Sequence, residues 1–137
     1  MGVSIWESSW EGDLKSSGRT NTNVSTGGHS TWTGNLDLTG NTLDDPEYYG
    51  PAGRVSLYDG TVWTGKVING GRAVDLQVEQ DSTWNMTGSS VVQNLSMNNS
   101  DLNFVPQSDG FSTLTVTGNL DSWGDPLSNQ INMNTNL

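Results

Sequence analysis

A chain of 137 residues has room for one domain of ordinary size. Its 15 acidic against 5 basic residues give a formal net charge of -10 and no basic stripe to neutralise phosphates, so nucleic acid and anionic lipid are poor partners. Cysteine is absent, which excludes disulfides, thiolate metal sites and thiol chemistry, and no apolar run approaches the roughly 18 residues of a transmembrane helix.

Hydrophobic residues make up only 31% of the chain, thin for a single compact core, yet six Trp argue against disorder. A solenoid reconciles the two, because its core is a narrow column and most of its residues sit at turns or on outer faces. The start, Met1-Gly2-Val3, has no charged-then-apolar leader, so any export signal is expected to lie outside this stretch.

The first repeat is Trp10-Glu11-Gly12-Asp13-Leu14, a Trp-x-Gly-x-(Leu/Val) frame. After it come polar residues from Ser16 to Asn23 with Val24 as the one later apolar side chain, so residues 1–28 are expected to form the least regular rung. The frame returns at Trp32-Thr33-Gly34-Asn35-Leu36 and at Trp63-Thr64-Gly65-Lys66-Val67. Lead aromatics at Trp10, Trp32, Trp63, Trp84, Phe104 and Trp123 are separated by 22, 31, 21, 20 and 19 residues. A period near 20 marks stacked units that each bury an apolar face against a neighbour. The 31-residue interval calls for an insertion, which residues 42–51 supply with Pro46, Gly50 and Pro51 to break any strand.

Beyond the insertion, two-residue alternation recurs at Val55-Ser56-Leu57, Val74 to Val78, Leu95-Ser96-Met97, Leu114-Thr115-Val116 and Ile131-Asn132-Met133. These read as short half-buried strands bounded by Gly and Asn turns. Leu57, Leu76, Leu95, Leu114 and Met133 stand 19 residues apart, which predicts one ladder with a rise of about 4.8 Å per rung. Leu38 also precedes Leu57 by 19, but the insertion lies between them and the match is read as coincidence. The expected fold is all-β: a single right-handed parallel β-helix over residues 1–137, of about six rungs of roughly 20 residues. Its structural ladder would comprise Trp32, Trp63, Trp84, Phe104, Leu57, Leu76, Leu95 and Leu114.

Chemistry-bearing clusters are few. Asp59, Asp81, Asp101 and Asp121 recur at 22, 20 and 20 residues, and a single turn line would bring them near one another. Asp81 and Asp101 could then hold a hard cation or act as an acid/base pair on a sugar, although Asp is equally a turn former capping its own backbone. The insertion offers Asp44, Asp45, Glu47, Tyr48 and Tyr49 as a protein- or glycan-binding tip, or as a plain surface excursion. His29, the one histidine, has no second imidazole or thiol to make a zinc site and reads as a loop residue. Gly70-Gly71-Arg72 lacks the Lys and Ser/Thr of a phosphate loop and reads as a turn. The Trp column could stack sugars, but Trp followed by Gly in each rung favours an internal aromatic stack, less firmly at Trp6 and Trp10. No catalytic set and no cofactor are expected.

Residues 82–137 carry a family resemblance. The run Ser82 to Met97, its continuation Ser100-Asp101-Leu102-Asn103-Phe104, then Phe111 to Val116 and the closing Ile131 to Thr135 resemble the C-terminal part of pertactin-like and AIDA-like autotransporter passengers of type V secretion. The resemblance implies a right-handed β-helix on the surface of a Gram-negative bacterium, or secreted from it. It also implies a following outer-membrane β-barrel as partner, together with the remaining passenger rungs. This segment would be the autochaperone region, which emerges first and templates folding of an adhesin or virulence factor. Two rivals remain: an adhesin module that engages a host receptor or glycan through residues 42–51, and a polysaccharide-processing β-helix using Asp81 and Asp101.

Overall fold

The computed structural model describes residues 2–108, 110–123 and 129–132. The chain winds through parallel strands in threes. The first rung is β1 (Gly2–Trp6), β2 (Ser9–Glu11) and β3 (Leu14–Gly18), and the second β4 (Thr22–Gly27), β5 (Thr31–Thr33) and β6 (Leu36–Asn41). A single helical turn, α1 (Pro46–Tyr49), interrupts before β7 (Gly53–Leu57), β8 (Val62–Gly65) and β9 (Val67–Ile68). Then follow β10 (Val74–Glu79), β11 (Thr83–Met86) and β12 (Ser90–Val92), and after them β13 (Asn94–Asn98), β14 (Asp101–Phe104) and β15 (Leu114–Val116). β16 (Leu120–Trp123) and β17 (Gln130–Asn132) begin another rung.

Strands three apart in the chain pair with one another in parallel, except β9 and β12, so the molecule is a parallel β-helix of about five turns. Its first face is the six-stranded sheet β1-β4-β7-β10-β13-β16 and its second the six-stranded sheet β2-β5-β8-β11-β14-β17. The third face is broken into β3-β6-β9 and β12-β15. At the break the Val67 amide donates to the Ser90 hydroxyl at 3.0 Å instead of to a backbone carbonyl.

Alternation of apolar and polar residues decides which side chains enter the coil. In β10, Val74, Leu76 and Val78 are buried while Gln77 faces out. On the first face, one inner column runs Val24, Val55, Leu76, Leu95, and a second runs Thr26, Leu57, Val78, Met97. On the second face Trp10, Trp32, Trp63 and Trp84 stand in register, with Leu102 and Ile131 continuing the line.

The 19-residue ladder is not a physical column. Leu76 does lie beside Leu95, but Leu57 pairs with Val78, Leu95 pairs with Leu120, and Leu114 belongs to the third face opposite Ser90. Rungs differ in length because their turns do: linked side chains on neighbouring rungs are 18 residues apart at Asn103–Asn85 and 29 apart at Asn132–Asn103. A constant step therefore walks from one face to another. Phe104 likewise stands beside Met86, and Leu102 takes the place next to Trp84; Trp123 lies on the first face opposite Asn98. Met133 is outside the described residues. Leu38 sits in β6 on the third face, away from Leu57 on the first.

Residues 1–28, expected to be irregular, form ordered strands from Gly2 onward with one register shift between Lys15 and Ser17. Polar inward positions there satisfy one another: the buried Ser16 and Thr22 hydroxyls share a 2.6 Å hydrogen bond.

Candidate functional site

The Trp-x-Gly frame has a specific cause. Adjacent indoles stack at 5.5, 4.8 and 5.1 Å between ring centroids, with interplanar angles of 8, 6 and 6°. Three of these indoles donate Nε1–H to the carbonyl of the glycine in the preceding rung: Trp32 to Gly12 at 3.0 Å, Trp63 to Gly34 at 2.9 Å and Trp84 to Gly65 at 3.0 Å. A Cβ on Gly65 would run into the Gly34 carbonyl and the Trp63 indole nitrogen. Trp84 is followed two residues on by Met86, and the next rung has Leu102, which needs no carbonyl acceptor. With Trp32, Trp63 and Trp84 fully buried, these rings present no sugar-stacking face. Trp6 is different, 54% exposed and tilted toward Tyr58 at 6.2 Å across Gly27.

The four aspartates do not share a turn line. Asp59 and Asp81 are left-handed turn residues, whereas Asp101 opens β14 beside Thr83 and Asp121 lies in β16 beside Ser96. Nor are Asp59 and Asp81 equivalent: the Gly60 amide bonds to the Gln80 carbonyl at 2.8 Å, and that of Asp81 to Asn99 at 2.7 Å. Asp81 and Asp101 thus occupy a turn and a strand, with no shared ligand geometry. Among the described residues no group of three or more His, Asp and Glu side chains is placed to hold a metal ion. His29, also left-handed, packs its exposed ring over Gly60.

The insertion is a built element. The buried Asn41 amide donates to the Ser16 hydroxyl and to the Thr20 carbonyl, both at 2.9 Å, and its oxygen accepts the Leu43 amide at 2.8 Å. From the other side, Asn21 donates to the carbonyls of Tyr49 at 3.0 Å and Pro51 at 2.8 Å. Backbone bonds from Thr42 to Gly18 and from Thr22 to Ala52 close both ends. Leu43 and Ala52 are buried in the core, so the loop is fastened at two apolar anchors. Tyr48 and Tyr49 stand out at 78% and 43% exposure, meeting edge to face at 4.7 Å, with the Arg19 guanidinium 4.7 Å from the Tyr49 ring centre. Glu47 is exposed in the first turn of α1.

Beneath the loop is a cavity of about 300 Å³ lined by Leu43, Asp44, Asp45, Pro46, Arg72 and Val92, among others. Arg72 comes from the Asn69-Gly70-Gly71-Arg72 turn, where Gly70 at φ 59° lies against the Thr39 backbone. Its Nη1 donates to the Leu43 carbonyl at 3.2 Å, while Nε is buried with no acceptor. The spacing reads Gly70-Gly71-Arg72 as a turn, which it is, and assigns no role to the side chains of Arg72, Asn21 or Asn41. Among the described residues Arg72 is the one cation in the cavity lining, and a basic residue behind a Gly-Gly turn was the available signal. Asn41 and Asn21 carried none, since Asn abounds throughout the chain.

Among the described residues one carboxylate, that of Asp37, is electrostatically perturbed. Asp37 is held below the ordinary carboxylate range by the Thr39 hydroxyl at 2.7 Å, then by the Thr39 amide at 2.9 Å, with a smaller attraction from Lys15. This is a side chain fixing its own turn. Comparison of the chain with protein-family models, with curated proteins and with solved structures gave no match.

Proposed function

We propose that the chain is a non-enzymatic structural segment whose work is to stack. It forms a rigid β-helical column that templates the addition of rungs and displays the loops it carries. The observation that carries this reading is the continuity of the two six-stranded parallel ladders around an internal indole stack. Each rung supplies backbone partners and an apolar floor for the next, so a formed rung lowers the barrier to its neighbour. The exposed Leu120 and Ile131, in line with the inner columns of the last described strands, offer such a floor. The setting we propose follows the family resemblance: a passenger at a Gram-negative cell surface or secreted from it, supported by an outer-membrane β-barrel that the chain follows during export.

A charge at the centre of the stack tests the reading. Leu95 is 1% exposed between Leu76 and Leu120, and Leu95→Asp would bury an unpaired carboxylate. The variant is expected to stay unfolded after dilution from denaturant, with no cooperative β-sheet signal by circular dichroism. A soluble variant as heat-stable as the parent chain would overturn the proposal.

A further inference from the structure

The outer surface of the first face carries a groove that the stacking role does not use. We propose that it takes a straight, neutral glycan chain laid along the axis of the column. Side chains alternating with the buried positions stand there in register from rung to rung. The central file is Ser4, Ser25, Ser56, Gln77, Ser96 and Asp121, four of them short hydroxyl side chains, so the middle of the face is a low floor. Arg54, Asp75 and Asn94 form the file on one side, where the Asn94 amide donates to the Asp75 carboxylate at 3.0 Å. Along this rim and the floor lies an open groove of about 560 Å³ that reaches from Arg54 to Asp121.

The opposite rim begins with aromatic rings. A Cβ on Gly27 would meet Cζ3 of Trp6 at 2.8 Å, and one on Gly28 would meet Cε2 at 3.0 Å. Those two atoms lie across the six-membered ring from each other, so the indole lies down over both glycines while keeping 54% of its surface open. Tyr58 covers Gly27 from the next rung, its ring tilted 40° to the indole. Rings held against the sheet in this way offer a platform for the C–H face of a pyranose. Arg54, Ser56 and Tyr58 stand in one row along β7 and the residue after it, so platform and groove share a rung.

Chemistry narrows the occupant. Hydroxyls, amides, two carboxylates and one guanidinium supply the donors and acceptors that ring hydroxyls require. An anionic polymer would face Asp75 and Asp121 on a chain of net charge -10. An extended peptide would find no backbone partners on this face, because the hydrogen bonds of a sheet run from strand to strand within it. The files are straight over six strands, about 24 Å at about 4.8 Å per step, which fits a ribbon-like β-linked chain better than a coiled one.

The test is a titration of the whole chain, followed by nitrogen–proton NMR, with cellohexaose, maltohexaose, hexagalacturonate and hexalysine as separate probes. Cellohexaose should produce a saturable shift of the Trp6 indole N–H together with the Gln77 side-chain amide. The coiled, anionic and cationic probes should each bind at least tenfold more weakly. Trp6→Ala should weaken cellohexaose at least tenfold. Because that change also uncovers Gly27 and Gly28, Ser56→Lys serves as a second variant. Its long side chain would fill the floor without entering the core, and it should weaken cellohexaose at least tenfold while leaving the thermal melt unchanged. No saturable shift with cellohexaose, an equal response to any of the other three probes, or full affinity in either variant would each overturn the assignment.

Discussion

At the residue scale, the decisive contact is between an indole and a glycine one rung away. Gly65 is required because Trp63 and the Gly34 carbonyl occupy the space a side chain would need. Gly65→Ala is expected to cost about 3 kcal/mol, the upper range for overpacking a filled interior, because the obstruction includes backbone. Gly2→Ala, with nothing within 4 Å of a new Cβ, is the matched control and should leave the urea midpoint in place. Asp37 gives a different prediction. Its folded pKa is depressed, so the stability it contributes is present above the unfolded value near ~3.9 and is lost as pH falls through the folded value. Asp37→Asn should therefore lower the melting temperature at pH 7 and make progressively less difference as the solution is acidified below about pH 4. A constant deficit across that range would remove the ionic account.

Elements show where sequence spacing informs and where it misleads. Alternation located the strands around Val55, Val74, Leu95, Leu114 and Ile131, because period two is a local property of extended chain. Which strand lies beside which depends on turn lengths, and these vary from rung to rung; hence a perfect 19-residue series linked Leu95 to Leu114 across two faces. The Trp column escaped this error as far as Trp84 because a large ring and its glycine mark position as well as phase. At Phe104 only an aromatic remained, and the register it implied was two residues off. In the insertion, composition announced a loop but could not announce that the loop is anchored. Asn41→Ala should leave the buried Leu43 amide short of its partner, at about 2 kcal/mol, while Ser16 keeps its bond to Thr22. Chymotryptic cleavage after Tyr48 or Tyr49 should accelerate in that variant. Unchanged cleavage would mean that Asn21 and the apolar anchors hold the loop alone.

For the molecule as a whole, about five turns share two continuous ladders and a third that is interrupted between β9 and β12. Such a column is coupled mainly through nearest neighbours, so stability should be graded along it instead of uniform. In pulse-labelled hydrogen exchange during refolding, the amides of β13 and β14 are expected to gain protection before those of β1 and β2 if folding runs from the C-terminal rungs, as the proposed templating role demands. The reverse order would remove that role while leaving the fold untouched. The fold class was legible because stacking imposes a period that even irregular rungs respect. The pocket was not, because it arises where the period fails, from residues brought together by an excursion whose path spacing cannot trace.

The indole–glycine pairing also sets a rule for how such a chain can lengthen through descent. Trp32, Trp63 and Trp84 each depend on a glycine encoded about one rung earlier, so the heritable unit is offset from the visible one. A duplication in the Trp32–Trp63 region would bring its own acceptor along and could be inherited in one event. Past Trp84, where Met86 stands in the glycine's place, another tryptophan rung would need two coordinated changes. The column is thus open to growth in its first half and closed to the same kind of growth beyond it.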